Sequence, residues 1–233
     1  MTQARRFRVF ITEFNEICKR IGRDPQDITI LGASKRQHVR SIQNAFRFGV
    51  KNFGENFLQE AEQKISEIGH EPIWHFIGSI QTRKAKKIAS IFDWVQTVDR
   101  IKVAQKLNEN RPNALERLNI CIQVNPDNED TKSGIPLSEC NNFMKEIVSL
   151  KRLKVRGLMS IPRLTSNFEQ QRKVFGRIRS CFEDLKSNYP DLDTLSMGMS
   201  SDYEAALIEG STMLRVGTNI FGQRDFKFGK KNG

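Results

Sequence analysis

A single-domain (β/α)8, or TIM, barrel carrying an extra N-terminal helix is the fold class that three observations predict. Short apolar runs alternate with amphipathic helical stretches along the chain. Eight such runs, each followed by a helical stretch, imply parallel strands joined by helical crossovers. The 233 residues, with no composition break or Pro/Gly-rich linker, are close to the usual length of such a barrel. Periodicity does not separate a closed parallel sheet from an open, doubly wound one, which stands as the alternative. No dinucleotide fingerprint supports a nucleotide-binding version of it, since "GASKRQ" after the first run holds one glycine.

Phe7, Phe10, Ile11, Phe14, Ile17, Cys18 and Ile21 fall on one face of a helix over residues 3–22. Gly22, Asp24 and Pro25 stop it, so residues 1–25 form a helical extension ahead of the barrel. Strands are predicted near 28–34, 51–54, 73–77, 94–98, 118–124, 154–159, 193–196 and 212–216. Helices are predicted near 37–48, 56–68, 81–91, 99–110, 137–149, 167–188 and 202–209, with a short last one after Gly217. All 233 residues are read as one domain, and its basic end, residues 226–233, is expected to fray.

The formal charge is +11 and the pI about 9.7. Such an excess invites nucleic acid or an acidic membrane as partner. Here the cations are spread along the chain among Asp and Glu. Arg83, Lys84, Lys86 and Lys87 sit at helical spacing and read as a solvated face, and the other dense patch, Arg224 to Lys231, as a loose tail. Cys18, Cys121, Cys140 and Cys181 are far apart and form no CxxC pair, so they are expected to be free thiols in a reducing compartment. His38, His70 and His75 lack metal-ligand spacing. No apolar stretch is long enough to span a bilayer, and Glu13 and Glu16 argue against a mitochondrial presequence. A cytoplasmic location is expected.

In a barrel, reactive groups stand at the C-terminal ends of strands, and phosphates favour the loops after strands seven and eight. "SMGMSSDYEAA" ends the seventh predicted strand, with Gly198 to turn the backbone, Ser200 and Ser201 as hydroxyl donors, and Asp202 placed to cap the next helix. "LRVGTNIFG" ends the eighth, where Gly217 and Thr218 repeat the chemistry. Either loop alone is an ordinary capped turn; both at the two expected positions point to a phosphate dianion. Lys35 ends the first strand on the same rim. A lysine screened by apolar neighbours there loses part of its preference for charge and can attack a carbonyl to form a Schiff base, unless it merely snorkels to solvent. A phosphorylated carbonyl compound suits both features, pyridoxal 5′-phosphate (PLP) foremost. "FGENF" supplies Gly54 for close approach, Glu55 to balance a cation, and Asn56 as oxygen-anion donor or helix cap. His75, in register with Ile73 and Ile77, reads as a hydrogen-bonded core group. Gln81 and Lys84 could face either rim or solvent. Met159, in "RGLMSIP", could pack against a flat ring or only in the core.

Taken in order, "ASK", "FGEN", "WHFIGSIQTRK", "QVN", "KSG", "RGLMSIP", "SMGMSSDYEAAL" and "GSTMLRVGTNIFG" resemble the pyridoxal phosphate homeostasis protein family over nearly the whole chain. That family is related to the N-terminal domain of alanine racemase. The resemblance implies a (β/α)8 barrel that binds PLP covalently through Lys35. It further implies Ser200, Ser201, Gly217 and Thr218 as phosphate ligands, Asn56 as a partner near the cofactor ring, Arg215 facing the pyridine nitrogen, and Met159 as a pocket wall. A cation beside that nitrogen keeps it unprotonated and makes the ring a weaker electron sink. The chain departs from the family in "LGASKRQHV", where Arg36 and His38 alter the rim, and at Ser79, where histidine is frequent. It leaves no room for the racemase's second, β-rich domain, which supplies the opposing tyrosine base; Tyr189 and Tyr203 fall in late helical segments.

The expected function is a carrier that holds PLP as a lysine Schiff base and takes part in vitamin B6 homeostasis without turnover. No catalytic residue and no metal site are assigned. The expected partners are PLP and, transiently, apo-enzymes that use it, for a monomer that engages neither membrane nor nucleic acid. A racemase-like PLP enzyme is the alternative, and a basic RNA-binding module is a third reading.

Overall fold

The computed structural model describes residues 1–129 and 131–222. Eight strands, β1 (Thr29–Ala33), β2 (Asn52–Glu55), β3 (Ile73–Phe76), β4 (Trp94–Val98), β5 (Leu118–Val124), β6 (Leu153–Ser160), β7 (Thr194–Ser196) and β8 (Met213–Val216), form a closed parallel barrel in sequence order. Leu31 pairs with Asn52 of β2 on one side and with Arg215 of β8 on the other. That double pairing closes the sheet and overturns the open, doubly wound alternative. Around it lie α1 (Gln3–Arg20), α2 (Val39–Arg47), α3 (Leu58–Ile68), α4 (Ala85–Ile91), α5 (Ile101–Asn110), α6 (Cys140–Ile147), α7 (Phe168–Asn188), α8 (Tyr203–Ile208) and α9 (Thr218–Phe221).

Most differences from the predicted boundaries are local turn chemistry. The helices expected from 81 and 137 open with 3-10 turns, Thr82–Lys84 and Leu137–Glu139. The first helix stops at Arg20, two residues early, because Gly22 takes φ +70°. The Arg23 amide then donates to Cys18 O at 2.9 Å and the Gly22 amide to Lys19 O at 3.3 Å, which is a Schellman cap. The basic patch Arg224 to Lys231 and the expected fraying over 226–233 lie outside the described residues.

The main core fills the space between sheet and helices, as strand alternation requires. Inside the barrel a smaller cluster holds Leu31, Trp94, Cys121, Met159 and Met213, with Ile77 against it. Gly54 leaves them room: a Cβ would stand 2.6 Å from Leu31 Cδ2 and 2.8 Å from Ile77 Cδ1, so those side-chain ends would have to shift. At the N-terminal end Arg156 covers the Trp94 ring, 4.6 Å from its centroid.

The N-terminal segment braces the last two βα units. Phe10 packs edge-on against Tyr203 of α8, with centroids 5.5 Å apart. Arg6 Nη2 donates to Phe221 O of α9 at 3.1 Å, and Arg23 Nη1 to Ser211 O at 2.7 Å. Phe10 is 1 % exposed. Phe10→Ala is therefore expected to lower the unfolding free energy by about 3–5 kcal/mol. Equilibrium urea denaturation checks this through a lower midpoint at unchanged slope; a midpoint equal to wild type would mean that α1 is not so packed.

Candidate functional site

The C-terminal mouth of the barrel contains a pocket of about 280 Å³. Its lining includes Lys35 after β1, Asn56 after β2, Met159 on β6, Ser200 and Ser201 after β7, and Arg215, Gly217 and Thr218 at β8. These are all of the residues singled out above as cofactor contacts, drawn from five strand ends onto one cavity. Ala33, Ile77, Ile161 and Met199 complete the wall. A larger cleft of about 850 Å³ lies between α2 and α3, behind the Lys35 turn, lined by residues such as Arg36, Arg40, Glu60 and Lys64. Its charges are mixed, and the convergence of strand ends is at the smaller pocket.

Lys35 stands in a four-residue turn closed by the Gln37 amide donating to Ser34 O at 3.0 Å. Arg36 takes φ +59°, a conformation that costs a side chain energy and must be held by its surroundings. A buried ion cluster supplies the hold. Lys64 Nζ donates to Ser34 O at 2.7 Å, Glu55 Oε1 at 2.8 Å and Glu60 Oε1 at 2.7 Å. Glu60 also accepts from the Arg36 amide, and Ser34 Oγ donates to Glu55 Oε1 at 2.6 Å. Glu55 thus does balance a cation, Lys64. Burial pushes its carboxyl up to about 7 against the pull of Lys64, and its Oε2 is buried without a hydrogen-bond partner.

Asn56 is set by backbone contact. A Cβ on Gly78 would lie 2.0 Å from Asn56 O, so only glycine lets the two strand ends approach. Asn56 is not the helix cap; that position belongs to Phe57. Its Oδ1 is buried without a partner, an acceptor facing no protein donor. Gln81 and Lys84 turn to the rim, lining a cleft shared with Asn56 and Phe57.

In the seventh loop, Gly198 takes φ +94° where a Cβ would meet Ala206 Cβ at 2.6 Å. Asp202 occupies the cap position of α8 but makes no side-chain cap bond, contrary to its expected role. Its Oδ1 accepts from the Met199 amide at 2.6 Å instead, folding residues 199–202 into a tight turn that presents Ser200 and Ser201. In the eighth loop, Ile220 and Phe221 donate to Gly217 O at 3.0 and 2.8 Å. The amides before them fall in the first turn, which has no intrahelical acceptor.

Arg215 is 4 % exposed. Its Nη1 donates to Ser196 O at 2.7 Å and Ser196 Oγ at 2.8 Å, and its Nη2 to Ser160 O at 2.7 Å. Nε–H and the second Nη2–H have no hydrogen-bond partner among the described residues, at a side chain that lines the pocket. Burial lowers its pKa to about 10, partly offset by Asp202 and Cys121, so it stays charged at neutral pH. Beneath it His75 is buried in a hydrogen-bonded core position, as read from the sequence, and stacks on Trp94.

Sequence reasoning missed Ser34, Lys64, Ser160, Ser196 and Gln96, which support the site without forming its contacts. The Glu60/Lys64 spacing of four was the sole visible signal, and it is shared by many surface pairs. All four cysteines are free. Among the described residues no His/Cys/Asp/Glu cluster could hold a metal, and no helix is long and apolar enough to cross a membrane.

A parallel eightfold barrel with an amine, a guanidinium and two hydroxyl-rich loops at its mouth defines a class: the alanine racemase N-terminal domain, whose family profile matches residues 32–225. Pyridoxal phosphate homeostasis proteins match more closely. That of Escherichia coli K12 is 44% identical over 211 residues, covering 89% of this chain and 90% of the relative. That of Pseudomonas aeruginosa is 44% identical over 212 residues, with 91% of each covered. The chain belongs to the pyridoxal phosphate homeostasis protein family. Among solved structures, PipY of Synechococcus elongatus, with PLP bound, has a TM-score of 0.79 at 30% identity, covering 90% of this chain and 99% of that one. Alanine racemase of Clostridium difficile shares the fold, with a TM-score of 0.73 at 15% identity over 97% of this chain and 58% of that one.

Two of the perturbed groups, His75 and Glu55, give a pH signature. Burial lowers the His75 pKa from 6.5 to about 3. Below pH 6.5 the unfolded chain takes a proton that the folded chain refuses, so stability is lost as the pH is lowered, by at most about 1.4 kcal/mol per unit. Glu55, raised from 4.5 to about 7, acts oppositely: between those values the folded chain keeps a proton that the unfolded chain has lost. The two slopes offset each other between about pH 4.5 and 6.5. The His75 loss is thus expected below pH 4.5, and His75→Gln should flatten it. Urea midpoints for both proteins from pH 3.5 to 7 check this; parallel curves would refute it.

Proposed function

We propose that the chain binds PLP in the barrel mouth and serves vitamin B6 homeostasis as a carrier, with Lys35 as its covalent attachment point. The observation that carries this reading is the convergence of Lys35, Asn56, Ser200, Ser201, Arg215, Gly217 and Thr218, with Met159, on one pocket. The residues fit the cofactor's chemistry. Asn56 lines the pocket with an amide whose N–H2 can donate to an oxygen anion, and Arg215 has N–H groups to spare for a ring nitrogen. Two loops offer hydroxyls and first-turn amides to a dianion. The bound cofactor supplies an aldehyde that an amine can hold and release reversibly. Lys35 supplies that amine from a turn whose backbone is pinned from behind. Met159 and Ile77 give the ring an apolar wall. The names of the relatives and the PLP bound in PipY support the same ligand. Residues 1–233 act as one cofactor-binding domain in this reading, working as a monomer in the cytoplasm and handing PLP to apo-enzymes by transient contact.

Purified protein mixed with PLP is expected to turn yellow, and borohydride should fix the adduct on the peptide bearing Lys35, as read by mass spectrometry. Lys35→Ala should lose the label; its recovery on another lysine would reassign the site.

Ser201→Ala with Thr218→Val should weaken PLP binding by about 1.5–3 kcal/mol for each charge-assisted bond lost. Pyridoxal, which lacks the phosphate, should bind the variant and wild type alike. Titrations with both compounds check this, and equal PLP affinity in the double variant would place the phosphate elsewhere.

A further inference from the structure

A line of buried hydrogen bonds runs down the barrel from Arg215. Arg215 Nη1 meets Ser196 Oγ at 2.8 Å, and Ser196 Oγ meets Gln96 Oε1 at 2.7 Å. Gln96 Nε2 meets His75 Nδ1 at 2.9 Å, and His75 Nε2 meets Asn52 Oδ1 at 2.9 Å. Five strands contribute one residue each: β8, β7, β4, β3 and β2. Ser196, Gln96 and His75 are fully buried.

The orientation of the Gln96 amide, together with the chemistry of the other groups, sets the direction of every bond. A guanidinium only donates, so Ser196 Oγ must accept from it. The hydroxyl proton is then free for Gln96 Oε1, a carbonyl oxygen that only accepts. With its oxygen so engaged, Gln96 turns its amide N–H to His75 Nδ1, which must present a lone pair. The imidazole proton therefore sits on Nε2 and goes to Asn52 Oδ1. The line runs one way, from a fixed cation to a neutral amide, with no carboxylate along it. Adding a proton to Nδ1 would set two donors face to face, and burial already holds the ring neutral.

We propose that Gln96, acting through Ser196, is a positioning residue that aims the Arg215 guanidinium at the ring nitrogen of the bound cofactor and leaves its positive charge unneutralised by contact. This rests on the PLP reading above for the target, but the direction of the chain does not. Because both direct partners of Arg215, Ser196 and Ser160, are neutral, the charge is felt in the pocket rather than being spent on a contacting anion. Loss of the line would let Ser196 Oγ rotate its proton toward Arg215, removing an acceptor and freeing the guanidinium to shift.

Two measurements test it. Nitrogen-15 NMR of the cofactor-free protein should find His75 as the neutral Nε2–H tautomer with Nδ1 accepting, from pH 8 to 5. A protonated Nδ1 in that range would overturn the chain whatever binds in the pocket. In PLP-loaded protein, Gln96→Leu and Ser196→Ala should each still be labelled on Lys35 by borohydride. Each should displace the absorption band of the bound chromophore and its pH midpoint, and the double variant should show no more displacement than either alone. An unmoved band and midpoint in folded, Lys35-labelled Gln96→Leu would overturn the positioning role. Absence of Lys35 labelling in wild type would instead overturn the PLP reading, with the NMR result still deciding the direction of the line. Should Gln96→Leu fail to fold, Ser196→Ala and its rescue by Ser196→Thr carry the spectral test: a band that stays unmoved in Ser196→Ala, or that Ser196→Thr does not restore, counts against it.

Discussion

A full positive charge buried beneath the barrel mouth is the constraint around which the rest is arranged. Removing a guanidinium from water is tolerated only if several of its N–H groups are met. Ser160 of β6 and Ser196 of β7 together meet three of the N–H groups of Arg215. That requires β6, β7 and β8 in register, which their parallel pairing within the closed sheet provides. The same closure carries the β7 and β8 loops to the mouth beside Lys35. Packing, register and the pocket's electrostatics are thus one problem with one solution.

A second buried cation works outside the barrel wall, behind the β1 and β2 ends of the mouth. Lys64 is 4 % exposed and gathers Glu55, Glu60 and the Ser34 carbonyl. A buried ion group of this kind contributes little net stability beside an apolar replacement, because desolvation offsets most of the attraction. What it confers is position: it holds a turn that contains a left-handed Arg36 and sets where Lys35 leaves the strand. The pocket therefore lies between two fixed frames, the Lys64 cluster behind its amine and the Ser196 line beneath its guanidinium. Each is built from residues that do not line the pocket.

This division explains what could be read from sequence. The eight strands and their helices were legible because alternation and 3.6-residue periodicity are written in neighbouring residues. The pocket residues were legible because strand ends fall at fixed places in a barrel and because the motifs around Lys35, Asn56, Ser201 and Thr218 are distinctive. The supporting frames were not. Gln96 lies in "WVQTV" and Ser196 in "TLSMG", where each looks like any polar residue in a strand; only barrel closure sets them 2.7 Å apart. Lys64 looks like a surface lysine of an amphipathic helix. Asp202 had the identity of a cap, but the tight turn from Met199 claimed its carboxylate first.

The placement of titratable groups argues for holding a cofactor over turning substrates over. Acid–base catalysis needs a group near neutral pKa within reach of the reacting atom. The two most suitable by environment are placed elsewhere: Glu55 lies in the Lys64 cluster between barrel and helices, and His75 lies in the interior with both ring nitrogens engaged. Among the described residues that line the pocket, the ionisable side chains are Lys35 and Arg215. One offers an amine. The other is a permanent cation whose burial leaves it charged at neutral pH and unable to accept a proton. In the binding mode proposed above, a reversible attachment needs only the first, and the second would weaken the electron withdrawal that turnover requires. The pocket's own chemistry thus favours capture and release, and its two rigid frames keep that chemistry from drifting.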